Sequence, residues 1–406
     1  MKILFLTENF PPETNAAATR VYERAVYWQK SGHSVTIITC APNFPEGKLF
    51  DGYQNHWWKT QLISGITVVR VKTYISPNQG VILRCLDFIS FGIMGFFVGL
   101  FQSRPDVVVA TSPQFFSAVA GWAVAACRRL PFIFELGDLW PASIAAVGAI
   151  KKGLLLESVE KFELFLYRRS SRVVALTHAF KKNLVHRGIE ENKIDVVLNG
   201  VDLSRYTPQA RDTELAKEWL IKDKFIIGYV GTHGMAHDLK NVLDAAERLL
   251  VNEKIQFLFA GAGAERDTLL TNAKKRSLSN VCFMPMQPKD KMPAVWSLCD
   301  VALVHLKNDP AFGEVIPSKL FEAMAMGLPI LIVIPDGEAR DIVENNSAGI
   351  WVPPENPEAL ATAIKKLSSD NSLYHRLTTN SLAAAPHYSR SVQAAKMISV
   401  FEKTLL

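Results

Sequence analysis

Two carboxylates, Glu314 and Glu322, enclose a seven-residue stretch that holds Ile316, Pro317, Ser318 and Lys319. Ser318 is a candidate N-cap for a helix opening at Lys319. Free N–H groups at a helix start attract phosphate, and a lysine there adds positive charge, so a diphosphate could rest on this turn. Glu322 would lie one turn into the helix, placed to accept hydrogen bonds from a ribose diol. Glu314, in the loop before it, could grip sugar hydroxyls. An arbitrary pair of glutamates would read as a solvated acidic pair beside a capped helix, so the other residues in the chain decide between the two.

Gly228-Tyr229-Val230-Gly231-Thr232-His233-Gly234-Met235 follows an apolar, strand-like run. Gly231 and Gly234 would let backbone approach a ligand closely, and His233 could donate to a phosphate or a sugar hydroxyl. A further glycine turn, Gly261-Ala262-Gly263, follows the next such run. In the first half, the loop from Phe10 to Arg20 carries Asn15 and Ala16 where a helix should open. It has no Gly-x-Gly-x-x-Gly, so the ordinary dinucleotide fingerprint is missing. Asp138 stands in Gly137-Asp138-Leu139-Trp140-Pro141, after the run Phe132–Glu135. It reads either as a turn acid bonding local amides or as a site acid; Glu135 reads as structural.

These residues need elements to position them. Short apolar runs alternate with helix-like stretches along all 406 residues. Ile3–Thr7, Val35–Thr39, Val68–Val71, Val107–Thr111, Phe132–Glu135 and Val173–Leu176 are predicted strands of the first half. Phe225–Val230, Ile255–Ala260, Val281–Met284, Val301–His305, Pro329–Ile334 and Gly349–Val352 are those of the second. Buried strands alternating with helices imply an α/β chain of two facing, doubly wound, Rossmann-like domains with a cleft between them. The pattern breaks near residues 198–224, which divides the chain into 1–200 and 201–387. The last segment, 388–406, is expected to be a helix that packs back on the first domain.

Hydrophobic residues make up 49% and charged residues 21%, a globular balance that excludes collagen-like and disordered chains. The net charge is +6, too modest to argue for nucleic acid. It is unevenly placed: residues 1–200 carry 22 Lys and Arg against 15 Asp and Glu, and the remainder 23 against 24. The five cysteines form no Cys-x-x-Cys pair, and the nine histidines form no His-Glu-x-x-His run, so no metal site is expected. Cys127, Cys282 and Cys299 are expected to be buried. The opening apolar run, Ile3 to Leu6, is shorter than a secretory segment of about 7–15 residues and reads as a strand.

Phe88–Phe101 is the longest uncharged apolar stretch. At ~1.5 Å per residue it reaches roughly 21 Å, short of the ~30 Å hydrocarbon core. It reads either as a core helix or as an interfacial helix, and the basic first half favours contact of 86–101 with an anionic membrane.

The combination of motifs resembles the family 4 retaining glycosyltransferases of GT-B fold. The resemblance rests on Glu314-x7-Glu322 followed by Ala323-Met324-Ala325-Met326-Gly327-Leu328-Pro329, and on Phe10-Pro11-Pro12-Glu13. Asn199-Gly200-Val201-Asp202, Tyr229-Val230-Gly231 and Phe259-Ala260-Gly261-Ala262-Gly263 complete it, so it covers nearly the whole chain. It implies that Glu322 holds the donor ribose, that Glu314 holds the donor sugar, and that backbone at Ile316–Ser318 and Gly231–His233 binds the diphosphate. Phe283–Met286, with Met284, would border the base, and Asn15 and Ala16 would stand in the first donor loop. No metal or other cofactor is implied. Thr232 and His237 replace the Arg and Lys frequent in such enzymes, so Lys319 and His233 are expected to meet the diphosphate charge. Asp138 is the candidate for handling the acceptor.

The Asp-Leu-Trp-Pro and Pro-Ser-Lys variants resemble a subgroup that builds bacterial surface polysaccharides, proteins named L-fucosamine transferases among them. The implied function is transfer of a sugar, an N-acetylated hexosamine or deoxyhexosamine, from a UDP-sugar to a lipid-linked or saccharide acceptor. Anomeric configuration would be retained. The expected setting is O-antigen or capsule synthesis in the cytoplasm, at the inner face of the plasma membrane. A nucleotide-sugar 2-epimerase and a non-catalytic sugar-nucleotide-binding protein are the alternatives.

Overall fold

A computed structural model describes residues 1–44, 46–76, 81–112, 114–139, 153–221 and 224–406. The chain forms two compact units, Met1–Asn199 with Arg390–Leu406, and Gly200–Ser389. Among the described residues the first unit carries eight strands: β1 (Lys2–Leu6), β2 (Ser34–Cys40), β3 (Trp58–Ile63), β4 (Ile66–Val71), β5 (Val107–Thr111), β6 (Phe132–Leu136), β7 (Arg172–Ala175) and β8 (Ile194–Val196). They pair in the order β3-β4-β2-β1-β5-β6-β7-β8, all parallel except β3 with β4. The second unit holds β9 (Phe225–Val230), β10 (Ile255–Ala260), β11 (Val281–Met284), β12 (Val301–His305), β13 (Ile330–Val333) and β14 (Gly349–Val352). Its parallel sheet runs β11-β10-β9-β12-β13-β14. The architecture is two Rossmann-like α/β units.

Parallel strands covered by helices on both faces must be apolar on both, and Val107–Thr111 is buried at every position. In each sheet the order reverses beside one strand, with β1 between β2 and β5 and β9 between β10 and β12. Crossovers leave in opposite directions there, which opens a crevice beyond the strands' carboxyl ends. The loops after β1 and β9 are therefore where each unit should hold a ligand.

Two strands escape the sequence reading. β3 alternates and is mostly exposed, and a tight turn joins it to β4 through Ser64 and Gly65, both at positive φ (51° and 80°). β8 has only three residues. The helix Arg390–Leu405 lies on the helix Ala16–Lys30 of the first unit. The indole of Trp28 donates to the Ala394 carbonyl at 3.1 Å and packs on Phe401, and Arg390 pairs with Glu23 at 2.9 Å. Glu135 is buried at the end of β6, ion-paired with Arg24 and, at 3.5 Å, with Arg20. Burial alone would raise its pKa; the two guanidiniums outweigh that and hold it below the usual value.

The apolar segment of the first unit is longer than its uncharged stretch suggests. The helix runs Val81–Phe101, 21 residues, because Arg84 and Asp87 are accommodated within it. It is long and apolar enough to match a membrane span. One face, with Phe91 and Val98, is nevertheless buried against the sheet and the helix Phe115–Arg128. Gly92 and Gly99 permit that approach: a Cβ at Gly99 would meet Val124 at 2.7 Å, and one at Gly92 would meet Phe116 at 3.0 Å. Gly99→Leu should destabilise the protein by about 1–3 kcal/mol through overpacking, read as a lower urea midpoint. An unchanged midpoint would show that the two helices are not in contact there.

The cysteines correct one expectation. Cys299 is buried, but Cys282 is half-buried and Cys127 is exposed. Cys127 lies in the last turn of Phe115–Arg128, where the apolar run continues past the face that touches the sheet.

Candidate active site

The loops after β9 and β10 lie against one another. A Cβ on Gly261 (φ 155°) would land on the Gly231 carbonyl, and one on Gly263 (φ 153°) would strike the His233 backbone. Only glycine allows both the torsion and the approach. The His233 N–H donates to the Ala262 carbonyl at 2.8 Å, and the His233 carbonyl accepts from Glu265 N–H at 2.9 Å. His233 is thereby held at zero exposure among Tyr229, Phe259 and Phe283. Neither of its ring nitrogens has a hydrogen-bond partner. Thr232 turns its carbonyl to the Tyr229 hydroxyl at 2.7 Å, and Gly234 leads into the turn Met235–His237.

Lys319 opens the helix Lys319–Ala325, beneath this loop. Its stem is partly exposed, but Nζ is covered, has no hydrogen-bond partner and sits 3.7 Å over the Tyr229 ring. Burial pushes the amine down to about 7, with the Glu322 carboxylate opposing. A buried ammonium facing only an aromatic ring is incompletely compensated, so an anion entering beside it gains a charge-assisted bond.

Two expectations about this charge are corrected. Burial, then Lys319 and Arg266, hold the His233 ring at about 4, so it is neutral at pH 7 and contributes an N–H rather than a charge. Ser318 sits at the N-cap position, but its torsions are already helical (φ −60°, ψ −29°) and its side chain makes no capping bond. A cap residue normally stays outside helical torsions so that its oxygen can reach back. The helix has only seven residues. Ser318 therefore leaves the first N–H groups of this turn without a side-chain cap, and Lys319 adds the formal charge there.

Glu322, also in the first turn, accepts from the buried Trp296 indole N–H at 3.2 Å, which fixes one carboxylate oxygen. Glu314 follows the short helix Pro310–Gly313 and is half-buried; Ile316 is buried, and Pro317 and Ser318 are half-buried. Met284 ends β11, where its carbonyl accepts from Gly261 N–H at 3.1 Å. His237 and His305 are tied to each other's backbone carbonyls and held neutral by burial, at about 3 and about 4.

The remaining candidates belong to the first unit. Asn15 caps the helix Ala16–Lys30 by accepting from Ala18 N–H at 2.9 Å, so its side-chain oxygen is occupied. Asp138 follows β6 and is half-buried; Trp140 and Pro141 of its motif lie outside the described residues. Tyr229 and Trp296 escape the sequence reading as site residues, because an aromatic inside an apolar run has the signature of core.

Known structures share this arrangement of two Rossmann-like units. A sucrose-phosphate synthase from Thermosynechococcus elongatus matches with a TM-score of 0.78 at 15% identity, over 99% of this chain and 98% of that one. Anabaena HepE in complex with UDP and glucose matches with a TM-score of 0.74 at 19% identity, over 99% of each chain. The fold is GT-B. The family model described as Glycosyltransferase Family 4 matches residues 17–205, and the one described as Glycosyl transferases group 1 matches 211–383. The chain belongs to the family 4 glycosyltransferases of GT-B fold. One relative, WcaI of Escherichia coli, named for glycosyl transfer in colanic acid biosynthesis, is 26% identical over 90% of this chain and 92% of its own. Another, a GDP-mannose-dependent alpha-mannosyltransferase of Mycobacterium tuberculosis, is 25% identical over 87% of this chain and 84% of its own.

Proposed function

We propose that the enzyme moves a sugar from a UDP-sugar to a lipid-linked or saccharide acceptor, with anomeric configuration retained, in bacterial surface-polysaccharide synthesis. The observation that carries this reading is the buried, unbonded Lys319 Nζ beside the neutral, unbonded His233 ring, under a glycine loop at the switch point of a parallel sheet. In this reading Lys319 and the His233 N–H meet the diphosphate, Glu322 holds the ribose, and Glu314 orients the sugar. Charge building on the departing diphosphate is stabilised by Lys319 without a bound metal ion. The relative names WcaI, in colanic acid synthesis, and HepE with UDP support polysaccharide work and a uridine donor. A panel of UDP- and GDP-sugars tests this by release of nucleotide diphosphate in the presence of membrane lipid extract. UDP release that depends on the extract is expected, and epimer formed from donor alone would overturn it.

The same site sets a pH dependence. UDP seated against Nζ would hold the amine protonated, whereas the free amine titrates at about 7. Above that pH binding requires proton uptake, so affinity should fall about tenfold per pH unit. Calorimetry in two buffers of different ionisation enthalpy checks this; binding without proton uptake at pH 8 would contradict it.

The membrane is the proposed location. On the helix Val81–Phe101, Leu83, Leu86, Ile93, Phe97 and Phe101 are exposed, and the Trp58 ring lies 6.4 Å from that of Phe101. Lys72 sits 4.6 Å over the exposed Trp57. An apolar face edged by tryptophan and lysine suits the interface of an anionic bilayer. Flotation with phosphatidylglycerol vesicles should carry the protein, and Phe97→Asp should release it. Failure to float with either anionic or neutral vesicles would remove the membrane from the proposal.

A further inference from the structure

The sheet of the second unit ends on one side at β14. Helices cover both faces of this strand. Trp351 lies under Arg340 of the helix Glu338–Asn345 at 3.9 Å. Ile350 and Val352, which alternate with it, pack into the core with Leu360 and Ile364 of the helix Pro357–Ser369. The outer edge stays open. The Ala348 carbonyl accepts from Ile330 N–H at 3.1 Å, so Ala348 and, by alternation, Ile350 and Val352 face β13. Gly349 and Trp351 therefore turn their N–H and C=O outward, and among the described residues no strand pairs with that side.

A groove of about 980 Å³ runs along this edge, lined by Trp351, Glu358, Thr362, Lys366 and Arg376, among others. A small-molecule site would gather polar groups that await a partner. Among the described residues, no side chain of the groove has a buried polar atom without a hydrogen bond. An open edge is instead a template for another strand, and β14 carries no charge, proline or bulge to blunt it.

The charges beside the edge select the strand that fits. The helix Pro357–Ser369 packs back along β14, so Glu358 in its first turn stands at the strand's end and Lys366 at its start. The rise of a helix sets these two ~12 Å apart, and the four residues of β14 span ~13 Å. Arg376, on the helix Asn371–Ala384, joins Lys366 at the strand's start: one turn further on, Asn380 donates to the Ser347 carbonyl at 3.1 Å. Among the described residues Glu358, Lys366 and Arg376 have no ion-pair partner, whereas Glu344, the other acid of the groove, is taken by Arg340 at 2.8 Å. One end of the edge is thus basic and the other acidic. A second copy turned about a two-fold axis lays its β14 antiparallel to this one and brings each acid to the opposite bases. Two equal contacts form at once and the pairing closes on itself. A parallel approach would set like charges together.

We infer that β14 is a dimer interface, at which two copies of the chain join their six-stranded sheets edge to edge, Glu358 of each chain meeting the partner's Lys366 and the partner's Arg376. Neither the edge nor the groove includes a residue assigned to the donor, so the interface stands apart from the glycosyl-transfer reading.

Sedimentation velocity of the full chain over a micromolar concentration series tests the interface. The wild type should pass from the 45.2 kDa chain to a species of twice that mass. Glu358→Lys in one variant, and Lys366→Glu with Arg376→Glu in another, each set like charges together at both contacts and should weaken the dimer about tenfold or more. All three side chains are exposed, so neither variant disturbs the core. Mixed in equal amounts, the two variants meet with opposite charges at both contacts and should regain the wild-type affinity as a mixed dimer. Recovery on mixing excludes misfolding as the cause of the loss. Hydrogen exchange reads the strand itself: the Gly349 and Trp351 amides should slow as the wild type dimerises and stay fast in either variant alone. A wild type that stays monomeric throughout, a dimer insensitive to both charge reversals, or variants that do not recover on mixing would overturn the interface.

Discussion

Lys319→Met is expected to lower kcat/KM for the donor about 10²–10³-fold at pH 7 while leaving the melting temperature unchanged or higher. The two halves follow from one geometry. Nζ is buried with no hydrogen-bond partner and faces the Tyr229 ring at 3.7 Å. Replacing an incompletely compensated buried charge by an apolar chain of similar length is often neutral or stabilising. The same amine would be the cation nearest the departing diphosphate, with His233 and His237 held neutral. Lys319→Arg should not rescue activity, because the bulkier guanidinium does not fit the covered space that Nζ fills beside Gly231. A parallel loss of activity and stability would make Lys319 a structural residue.

Glu322→Ala and Glu314→Ala are each expected to reduce transfer by about 10³-fold or more, with different kinetic signatures. Glu322 is anchored through Trp296 at 3.2 Å, and in the proposed role would present a fixed carboxylate to the ribose. Its loss removes binding shared by ground and transition states and should appear mainly in the donor KM. Glu314, in the loop before the helix, would orient the sugar that reacts in the proposed role, so its loss should appear mainly in kcat. Initial rates over a donor series in the folded variants separate the two. Wild-type turnover in either would remove that residue from the site.

Much of the fold follows from periodicity. Continuous apolar runs such as Val107–Thr111 and Phe225–Val230 can only be strands covered on both faces, and both are. β3 was hidden because an exposed antiparallel edge strand need not be apolar, and its turn is made by Ser64 rather than a glycine pair. The helix Val81–Phe101 was read short because Asp87 looked like its N-terminal boundary; Asp87 instead lies inside the helix, at a polar cavity.

At the site, the loops were visible because glycine has few other reasons to recur after strands, and Gly261 and Gly263 indeed meet backbone. Electrostatics was not visible. A sequence gives Lys319 as a full cation and His233 as a group that titrates near neutrality; only the packing of His233 among Tyr229, Phe259 and Phe283, and of Lys319 Nζ over Tyr229, shows that the imidazole is held neutral and the amine brought down to about 7.

Titration of UDP into the wild type and Lys319→Met at pH 7, followed by calorimetry, tests the donor site most directly. The wild type should bind one UDP per chain, and the variant should bind at least about tenfold more weakly. Equal affinity in a folded variant, or no binding by the wild type to UDP or GDP, would contradict a nucleotide-sugar site at Lys319.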